Sequence, residues 1–268
     1  MMNIGKNSSP QLNTAISAAL NAGKSVMKFY NRLDTLKISS KGLHDFVSEA
    51  DQEAESIVCD YLLKKYPKYN LTAEEGYSNI VDSEYHWYVD PLDGTTNFIH
   101  GIPQFAISIG LCKKNIPCLG VIYDPFKNEL FAAEQGRGAL MNDKKIRVTS
   151  TNKIQSALIG TGIPYRKKDS ANIYIKTLKS LMDNNCGGIR RLGSAALDLA
   201  YVACGRLDGF WEFNLKPWDI VAGSIIVQEA GGHISNIDGD TNFLDSGNII
   251  AANLSLHSDI LKNIQGLK

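Results

Sequence analysis

The stretch from residue 87 to residue 98, which reads WYVDPLDGTTNF, constrains this chain more than any other part. Its aromatic and β-branched start predicts a strand that leads directly into two carboxylates, a glycine and two hydroxyls. Pro91 has a fixed φ and no N–H, so Asp90 is pushed toward an extended conformation and the strand is not expected to continue in a central ladder. We therefore expect Asp90 and Asp93 to face a common space where the strand ends.

The composition of the chain narrows the class of protein. With 268 residues, 44% of them hydrophobic, the chain can form one large core or two joined lobes. Its 28 basic and 28 acidic residues cancel, so no overall field favours nucleic acid or a membrane surface. The 5 cysteines lack CxxC spacing, which indicates neither a disulfide framework nor a zinc site. The polar start and the absence of a long apolar run predict a soluble, cytoplasmic protein.

Local patterns in the first part of the chain predict two helices followed by strands. Apolar residues recur at helical spacing from Leu12 to Tyr30, whereas residues 37–44 are polar and aperiodic and predict a mobile segment. Ser48 with Asp51 three residues later predicts the capped start of a second helix. Later apolar runs predict an antiparallel meander of strands at 105–111, 119–123 and 129–133.

The rest of the chain predicts a second group of strands and helices. A polar segment at 147–156 precedes a new strand signal, so we expect a single domain, 1–268, with lobes of approximately 1–150 and 151–268. Gly193 and Ser194 precede a helical pattern and would place free N–H groups at a helix start, which suits an anion. Asp219 lies in the first turn of a long apolar helix, where a capping role and a site role are both open.

Three interpretations of Asp90 and Asp93 are open from the residues alone. Their spacing suits a structural turn, a general acid and base pair as in glycosidases, or a metal site. The two carboxylates and the carbonyl of Leu92 supply hard oxygen donors, which suit Mg²⁺. Gly94 and Thr95 enter a predicted helix and would supply N–H donors for a phosphate beside the metal. Metal and anion donors together favour phosphoryl chemistry.

The chain resembles the inositol monophosphatase family, and the resemblance is closest to the bacterial branch. The stretch from Trp87 to Phe98 resembles the first signature of that family, and Trp218-Asp219 through Gly231-Gly232 resembles the second. Further matching segments are residues 45–51, 74–75, 190–203 and Glu212. The resemblance therefore covers nearly the whole chain. It implies an α/β (α+β) fold, a layered αβαβα sandwich of the inositol monophosphatase and fructose-1,6-bisphosphatase type, usually in a homodimer.

The resemblance also implies a role for each site residue. Two or three Mg²⁺ would be bound by Glu74, Asp90, Asp93, Asp219 and the carbonyl of Leu92. The attacking water would be positioned and activated by Asp45, Thr95 and Glu74, in keeping with the ability of a bound metal to lower the pKa of water. Substrate contacts would come from Leu92, Asp93, Gly94, Thr95, Gly193, Ser194, Ala195, Glu212 and Asp219. Inhibition by Li⁺ is a further implication.

The chain departs from the family pattern at few positions. Val221 stands where a small residue is expected and would shift the first turn of its helix, and with it Asp219. Ser48 replaces the usual threonine, and Ala73 replaces the usual glycine before the glutamates. None of these changes removes a ligand.

The function that this pattern favours is Mg²⁺-dependent hydrolysis of inositol monophosphates. Relatives in the superfamily act on 3′-phosphoadenosine 5′-phosphate, fructose 1,6-bisphosphate or histidinol phosphate, and these substrates stay open. A role of another class also stays open, because the bacterial branch includes a protein partner of ribosomal-RNA transcription antitermination complexes. Arg190 and Arg191 would suit such a surface, although a solvated or dimer-face arginine pair is the simpler interpretation. The zero net charge argues against direct nucleic-acid binding.

Overall fold

The structure is a computed structural model that describes residues 8–42, 45–164 and 168–267. Its helices are α1 (Pro10–Tyr30), α2 (Glu49–Lys65), α3 (Thr95–Ile99), α4 (Lys168–Asp183), α5 (Ala195–Ala203), α6 (Pro217–Glu229), α7 (Phe243–Ser246) and α8 (Leu254–Ile264). The strands of its first half are β1 (Ile38–Gly42), β2 (Asp45–Ser48), β3 (Asn70–Ala73), β4 (Ser78–Asn79), β5 (Tyr85–Asp93), β6 (Ala106–Lys113), β7 (Ile116–Asp124), β8 (Glu129–Glu134), β9 (Ala139–Met141) and β10 (Lys144–Lys145). Those of its second half are β11 (Leu158–Thr161), β12 (Gly188–Arg190), β13 (Gly209–Glu212), β14 (His233–Ser235) and β15 (Ile249–Ala252).

The larger sheet has 8 strands in the order β10-β9-β8-β7-β6-β5-β3-β4. Neighbouring strands from β5 to β8 are antiparallel, which confirms the predicted meander. β3 instead pairs with β5 in parallel, so both strands deliver their carboxyl ends to the same edge of the sheet. Helices α1 and α2 pack together on one face, where their apolar side chains join those of β5 in a buried cluster.

The smaller sheet has 5 strands in the order β12-β11-β13-β15-β14. Helices α5 and α6 pack between the two sheets, and α4 and α8 pack on the far side of the smaller sheet. The layers therefore follow the order helix, sheet, helix, sheet, helix, which confirms the layered α/β fold expected from the resemblance. The division into lobes near residue 150 stays a prediction.

The start of α2 follows the capping pattern that the sequence predicts. The side chain of Ser48 accepts from the N–H of Ala50, and the N–H of Ser48 donates to Asp51 Oδ2 at 2.8 Å. Within the segment predicted to be mobile, 37–44, residues 38–42 form strand β1 and pair with β2 in a local hairpin. The polar strand has no hydrophobic period, so the sequence pattern does not reveal it. Leu43 and His44 lie outside the described residues.

Strand β5 carries the irregularity that Pro91 imposes. Asp90 pairs with Ser108 and Asp93 pairs with Ala106, with a shift of register between the two pairs. The expectation that the ladder ends at Pro91 is therefore wrong by one pair, because the ladder skips the proline and resumes at Asp93. Because of this register shift, the side chains of Asp90 and Asp93 do not follow the regular alternation between the two faces of the sheet.

A search of the described ranges finds no helix with the length and apolar character needed to cross a bilayer.

Candidate active site

Glu74 and Asp90 lie side by side at the carboxyl ends of two parallel strands. Ala73, the last residue of β3, pairs with Val89 of β5, and the N–H of Glu74 donates to the carbonyl of Val89 at 3.1 Å. The two side chains are close enough for the charge of Glu74 to raise the pKa of Asp90. The loop after Glu74 is fixed by Glu55 of α2, whose carboxylate accepts from the N–H groups of Glu75 and Tyr77.

Asp93 connects the turn after β5 to the start of α5. Its Oδ2 accepts from the hydroxyl of Ser194 at 2.6 Å and from the N–H of Ala196 at 2.7 Å. Ser194 is the N-cap of α5 and accepts in turn from the N–H of Leu197 at 3.3 Å. The anion held at this helix start is therefore the carboxylate of Asp93 itself.

Asp219 is positioned by the start of α6. Its Oδ2 accepts from the N–H of Lys216 at 2.7 Å, so it caps the helix and also lines the cavity described below. The hydroxyl of Ser108, the β6 residue paired with Asp90, donates to the carbonyl of Trp218 at 3.1 Å. This bond anchors the first turn of α6 beside Asp90.

Val221 fits in the first turn of α6 because the strand beneath it has a glycine. A Cβ added to Gly110 of β6 would overlap the side chain of Val221 and would lie 2.8 Å from the nitrogen of Ala222. Val221 is fully buried in this contact. The absence of a side chain at Gly110 therefore lets α6 carry the larger Val221 and still lie close to the sheet.

Thr95 is held by a residue of α2 that the sequence marks only as a cap. Its hydroxyl lies 2.9 Å from Asp51 Oδ1 and 3.1 Å from the carbonyl of Leu92. Asp51 is 1% exposed and also accepts from Ser48, so one carboxylate serves both the helix cap and Thr95. Asp45 is the first residue of β2, and its side chain lies outside the described part of the chain.

These residues surround a cavity of about 790 Å³. The residues expected at the site that line it are Glu74, Asp90, Leu92, Asp93, Gly94, Thr95, Gly193, Ser194, Ala195, Glu212 and Asp219. They come from both sheets and from the starts of three helices. The volume lies within the range of small-molecule sites.

Glu212 and Gly162 form one wall of the cavity. Thr161 at the end of β11 pairs in parallel with Trp211 of β13, so Gly162 and Glu212 leave adjacent strands in the same direction. A Cβ at Gly162 would overlap the carboxyl group of Glu212. The glycine therefore makes room for this carboxyl group.

Several residues of the site were not identified from the sequence. Asp51 was interpreted only as a cap, and Asp198 and Gly162 were not singled out. Arg191 is exposed, as a solvated arginine should be, but it also lines the cavity, and its charge lowers the pKa of Asp93, Asp198 and Glu212. Its partner Arg190 is exposed and donates to the carbonyl of Ile189. Of these residues, only Asp198 has a recognisable signal in the sequence, because it is an acid among apolar residues in a helical pattern.

The carboxyl groups of the site raise one another's pKa. Burial, followed by the charge of Asp219, raises the pKa of Glu74, and burial with the charge of Glu74 raises that of Asp90. Burial raises the pKa of Asp93 to about 6, against the hydrogen bonds from Ser194 and Ala196. On the opposite wall, burial and the charge of Asp93 raise the pKa of Glu212 to about 8. In the described part of the chain, six acids line the cavity against two basic residues, Arg191 and Lys216.

This donor set suits a hard divalent cation. Carboxylates and a carbonyl are the ligands that Mg²⁺ prefers, and mutual repulsion among the acids is relieved by a cation. No three His, Cys, Asp or Glu side chains in the described ranges form a preformed metal site. Asp93 and Asp219 instead accept hydrogen bonds from backbone groups, and Glu74 lies beside Asp90. The residues fit the metal by donor type and charge.

The chain is similar to known proteins over almost its full length. A model of the inositol monophosphatase family matches residues 7–268. The chain is 45% identical over 256 residues to the putative Nus factor SuhB of Neisseria meningitidis serogroup B, covering 95% of this chain and 98% of that protein. It is 44% identical to an inositol-1-monophosphatase of Mesorhizobium japonicum, over 95% of this chain and 96% of that protein.

The architecture is also found in solved structures. The crystal structure of the extragenic suppressor protein SuhB from Bartonella henselae matches with a TM-score of 0.92 and 42% identity, over 96% of this chain and 99% of that one. Both the sequence match and the structural match extend over almost the full length of the chain. The chain therefore belongs to the inositol monophosphatase family.

Proposed function

We propose that this chain is a Mg²⁺-dependent phosphomonoesterase that hydrolyses inositol monophosphates. The observation that carries the proposal is the convergence of Glu74, Asp90, Asp93 and Asp219 on one cavity beside Thr95. The name of the Mesorhizobium relative supports inositol monophosphate as the substrate. Other small phosphomonoesters of the superfamily, 3′-phosphoadenosine 5′-phosphate, fructose 1,6-bisphosphate and histidinol phosphate, are the alternatives.

The metal would be held by the acidic wall of the cavity. The ligands would be Glu74, Asp90, Asp93, Asp219 and the carbonyl of Leu92, which share two or three Mg²⁺ in the family pattern. Bound Mg²⁺ lowers the pKa of water and stabilises the entering and leaving oxygens of a phosphoryl transfer. The protein's own part is to hold these donors near Thr95.

Thr95 and its neighbours would position the attacking water. Because the Thr95 hydroxyl donates to Asp51, its lone pairs are left to accept a hydrogen bond from the water. Asp45 would take part in accepting the proton of that water. Glu74 would help to activate the water as a ligand of the metal. The water oxygen forms the new bond to phosphorus, the bond from phosphorus to the polyol oxygen breaks, and that oxygen takes up a proton.

The substrate would lie between the two sheets. The N–H groups of Gly94 and Thr95 would hold the phosphate, and Gly193, Ser194 and Ala195 line the cavity near it. Glu212, on the smaller sheet, would hydrogen-bond the polyol hydroxyls, which donate to its ionised form and accept from its protonated form.

A second candidate function is a non-catalytic role as a protein partner in a transcription complex. It is supported by the Neisseria relative, whose name describes a putative Nus factor. Arg190 and Arg191 are both exposed and available to such a partner, and Arg191 also lines the cavity.

A substrate panel tests the choice between these functions. Phosphate release is measured with Mg²⁺ for inositol, sugar, nucleotide and histidinol phosphates. The proposal expects the highest kcat/KM for an inositol monophosphate. Asp60→Asn, which removes one exposed acid of α2 outside the cavity, is the control for a change of charge. Release from no member of the panel would favour the partner role.

Three further properties belong to the proposal. The family resemblance implies a homodimer and inhibition by Li⁺ at a metal position, and the lack of a long apolar run favours a cytoplasmic location. Sedimentation of the purified chain, a Li⁺ titration of phosphate release and cell fractionation test them separately.

A further inference from the structure

A second acid besides Glu212 lines the side of the cavity that faces the smaller sheet. Asp198 lies in the first turn of α5, where its N–H donates to the carbonyl of Ser194 at 2.9 Å. It is 1% exposed, yet it contributes to the cavity lining. Every residue of α5 is buried, and Asp198 is the one acid among them.

One oxygen of this carboxyl group lacks a partner. Asp198 Oδ1 is buried and makes no hydrogen bond with any part of the chain that the structure describes. An unpaired buried polar group costs about 1 to 3 kcal/mol, and native proteins retain few of them. Asp93 differs, because its Oδ2 is occupied by Ser194 and Ala196. A buried acid that lines a cavity and lacks a hydrogen-bond partner within the protein suggests that a bound ligand supplies that partner.

Asp198 and Glu212 lie on the same side of the cavity. Both line it, and they are close enough for the charge of Glu212 to act on Asp198. Gly160 of β11 lies behind Asp198: a Cβ there would lie 3.6 Å from the Asp198 carboxyl carbon but only 2.8 Å from Leu207 Cδ1, so this side of the carboxyl group is packed. A ligand would therefore reach the two acids from the cavity that they share.

We propose that Asp198 is a specificity-determining residue that hydrogen-bonds a hydroxyl of the leaving polyol, alongside Glu212. A hydroxyl both donates and accepts, so it pairs with this carboxyl group in either protonation state. The torsion that turns the carboxyl group is soft in Asp, so a ligand can draw either oxygen toward the cavity. A site that leaves a buried acid unpaired disfavours a substrate without the matching hydroxyl. This inference rests on the proposed phosphatase function.

The test compares two substrates that share the phosphate and differ in hydroxyls. The full chain with Mg²⁺ is assayed on myo-inositol 1-phosphate and on ethyl phosphate, and the ratio of the two kcat/KM values is the readout. Asp198→Leu removes the polar atoms at similar volume, and the ratio is expected to fall about tenfold or more. Asp198→Asn keeps a donor and an acceptor and is expected to recover most of the ratio. Where Asp198→Leu does not fold, Asp198→Ala takes its place.

Tyr201→Phe provides the matched control on the same helix. Its hydroxyl points to Gln104 Oε1 at 3.4 Å rather than to the cavity, so the ratio is expected to stay at the wild-type value. An equal loss on both substrates in Asp198→Leu would show a structural role and overturn the inference, as would an unchanged ratio. Release of phosphate from neither substrate by the wild type would instead reject the phosphatase function itself.

Discussion

At the scale of single residues, the site depends on side chains that serve two purposes at once. Asp51 caps α2 and also accepts from Thr95. Asp219 caps α6 and also lines the cavity. In each case the hydrogen bonds that fix the helix start also fix the carboxylate, so the acid cannot turn away from the site without loss of the cap. The local rules of helix capping thus provide the rigidity that the chemistry requires.

Asp51 is expected to act as a positioning residue through Thr95. In Asp51→Asn a single oxygen remains, which cannot serve both Thr95 and the donors of Ser48. We expect kcat for inositol monophosphate to fall about tenfold with little change in KM. In the background of Thr95→Val, which lacks the hydroxyl, the Asp51→Asn change should add no further loss of kcat. If the two kcat losses multiplied in the double variant, Asp51 would act independently of Thr95, and the positioning role would be rejected.

Gly162 is expected to control substrate affinity by leaving room for Glu212. In Gly162→Ala the added Cβ overlaps the Glu212 carboxyl group and displaces it. We expect KM for inositol monophosphate to rise about tenfold while the protein keeps its melting temperature within a few degrees. Gly188→Ala, in the neighbouring strand, is the control, since its Cβ would meet only the end of Leu158 and the side chain of Arg190. A KM that stays at the wild-type value would contradict the role assigned to this wall.

At the scale of elements, α6 presses directly on the strand that neighbours the acidic turn. Gly110 of β6 allows the backbone at Ala222 and the side chain of Val221 to approach the sheet. The bond from Ser108 to Trp218 fixes the same helix start two residues along the strand. The position of Asp219 relative to Asp90 is therefore set by packing between a helix and a strand that lie far apart in sequence.

Gly110→Ala is expected to separate α6 from the sheet. We expect a loss of about 1 to 3 kcal/mol in the free energy of unfolding, because the added methyl group overlaps Val221. Val221→Ala removes the overlapping methyl groups, so the double variant should be more stable than the sum of the two single losses predicts. Urea unfolding of the four proteins measures this coupling. Strict additivity would show that the two residues do not meet.

The sequence predicts the parts of this arrangement that depend on local pattern. The cap at Ser48, the meander of strands and the long helix after Pro217 each leave a signal within a few residues. The bond from Thr95 to Asp51 spans 44 residues, and that from Ala196 to Asp93 spans 103. Such contacts follow from the packing of layers, which no local period encodes. The same reason explains why the sequence does not reveal that the exposed Arg191 also lines the cavity.

At the scale of the whole molecule, two sheets of different size meet at a shared layer of helices. The acidic turn belongs to the larger sheet, and Glu212 and Gly162 belong to the smaller one. α5 connects them, because its start holds Asp93 and its first turn carries Asp198. The cavity therefore requires both halves of the chain to fold against each other.

The concentration of acids predicts that stabilisation by Mg²⁺ depends on pH. The folded protein raises the pKa of Glu74 above its ordinary value of 4.5, mainly by burial. The folded state then binds more protons than the unfolded state as pH rises past that value, so these acids lower the stability toward alkaline pH. Mg²⁺ binds the deprotonated groups, so its stabilising effect should grow over the same range.

Melting temperatures with and without Mg²⁺ at about pH 5 and about pH 8 test this dependence. The increase caused by Mg²⁺ is expected to be larger at the higher pH. NaCl at matched ionic strength is the control for general screening of charge. An increase that is equal at both values, or larger at the lower pH, would contradict the assignment of Glu74 to the metal.

The central claim is that the carboxylates around Asp93 hold the metal that hydrolysis needs. It is tested most directly by phosphate release from myo-inositol 1-phosphate across a Mg²⁺ titration, with Asp93→Asn and the surface control Asp60→Asn beside the wild type. The wild type and the control should respond to Mg²⁺ alike, whereas Asp93→Asn should lose several orders of magnitude in kcat and retain its fold by circular dichroism. Equal turnover by Asp93→Asn and the wild type at every Mg²⁺ concentration would contradict the account.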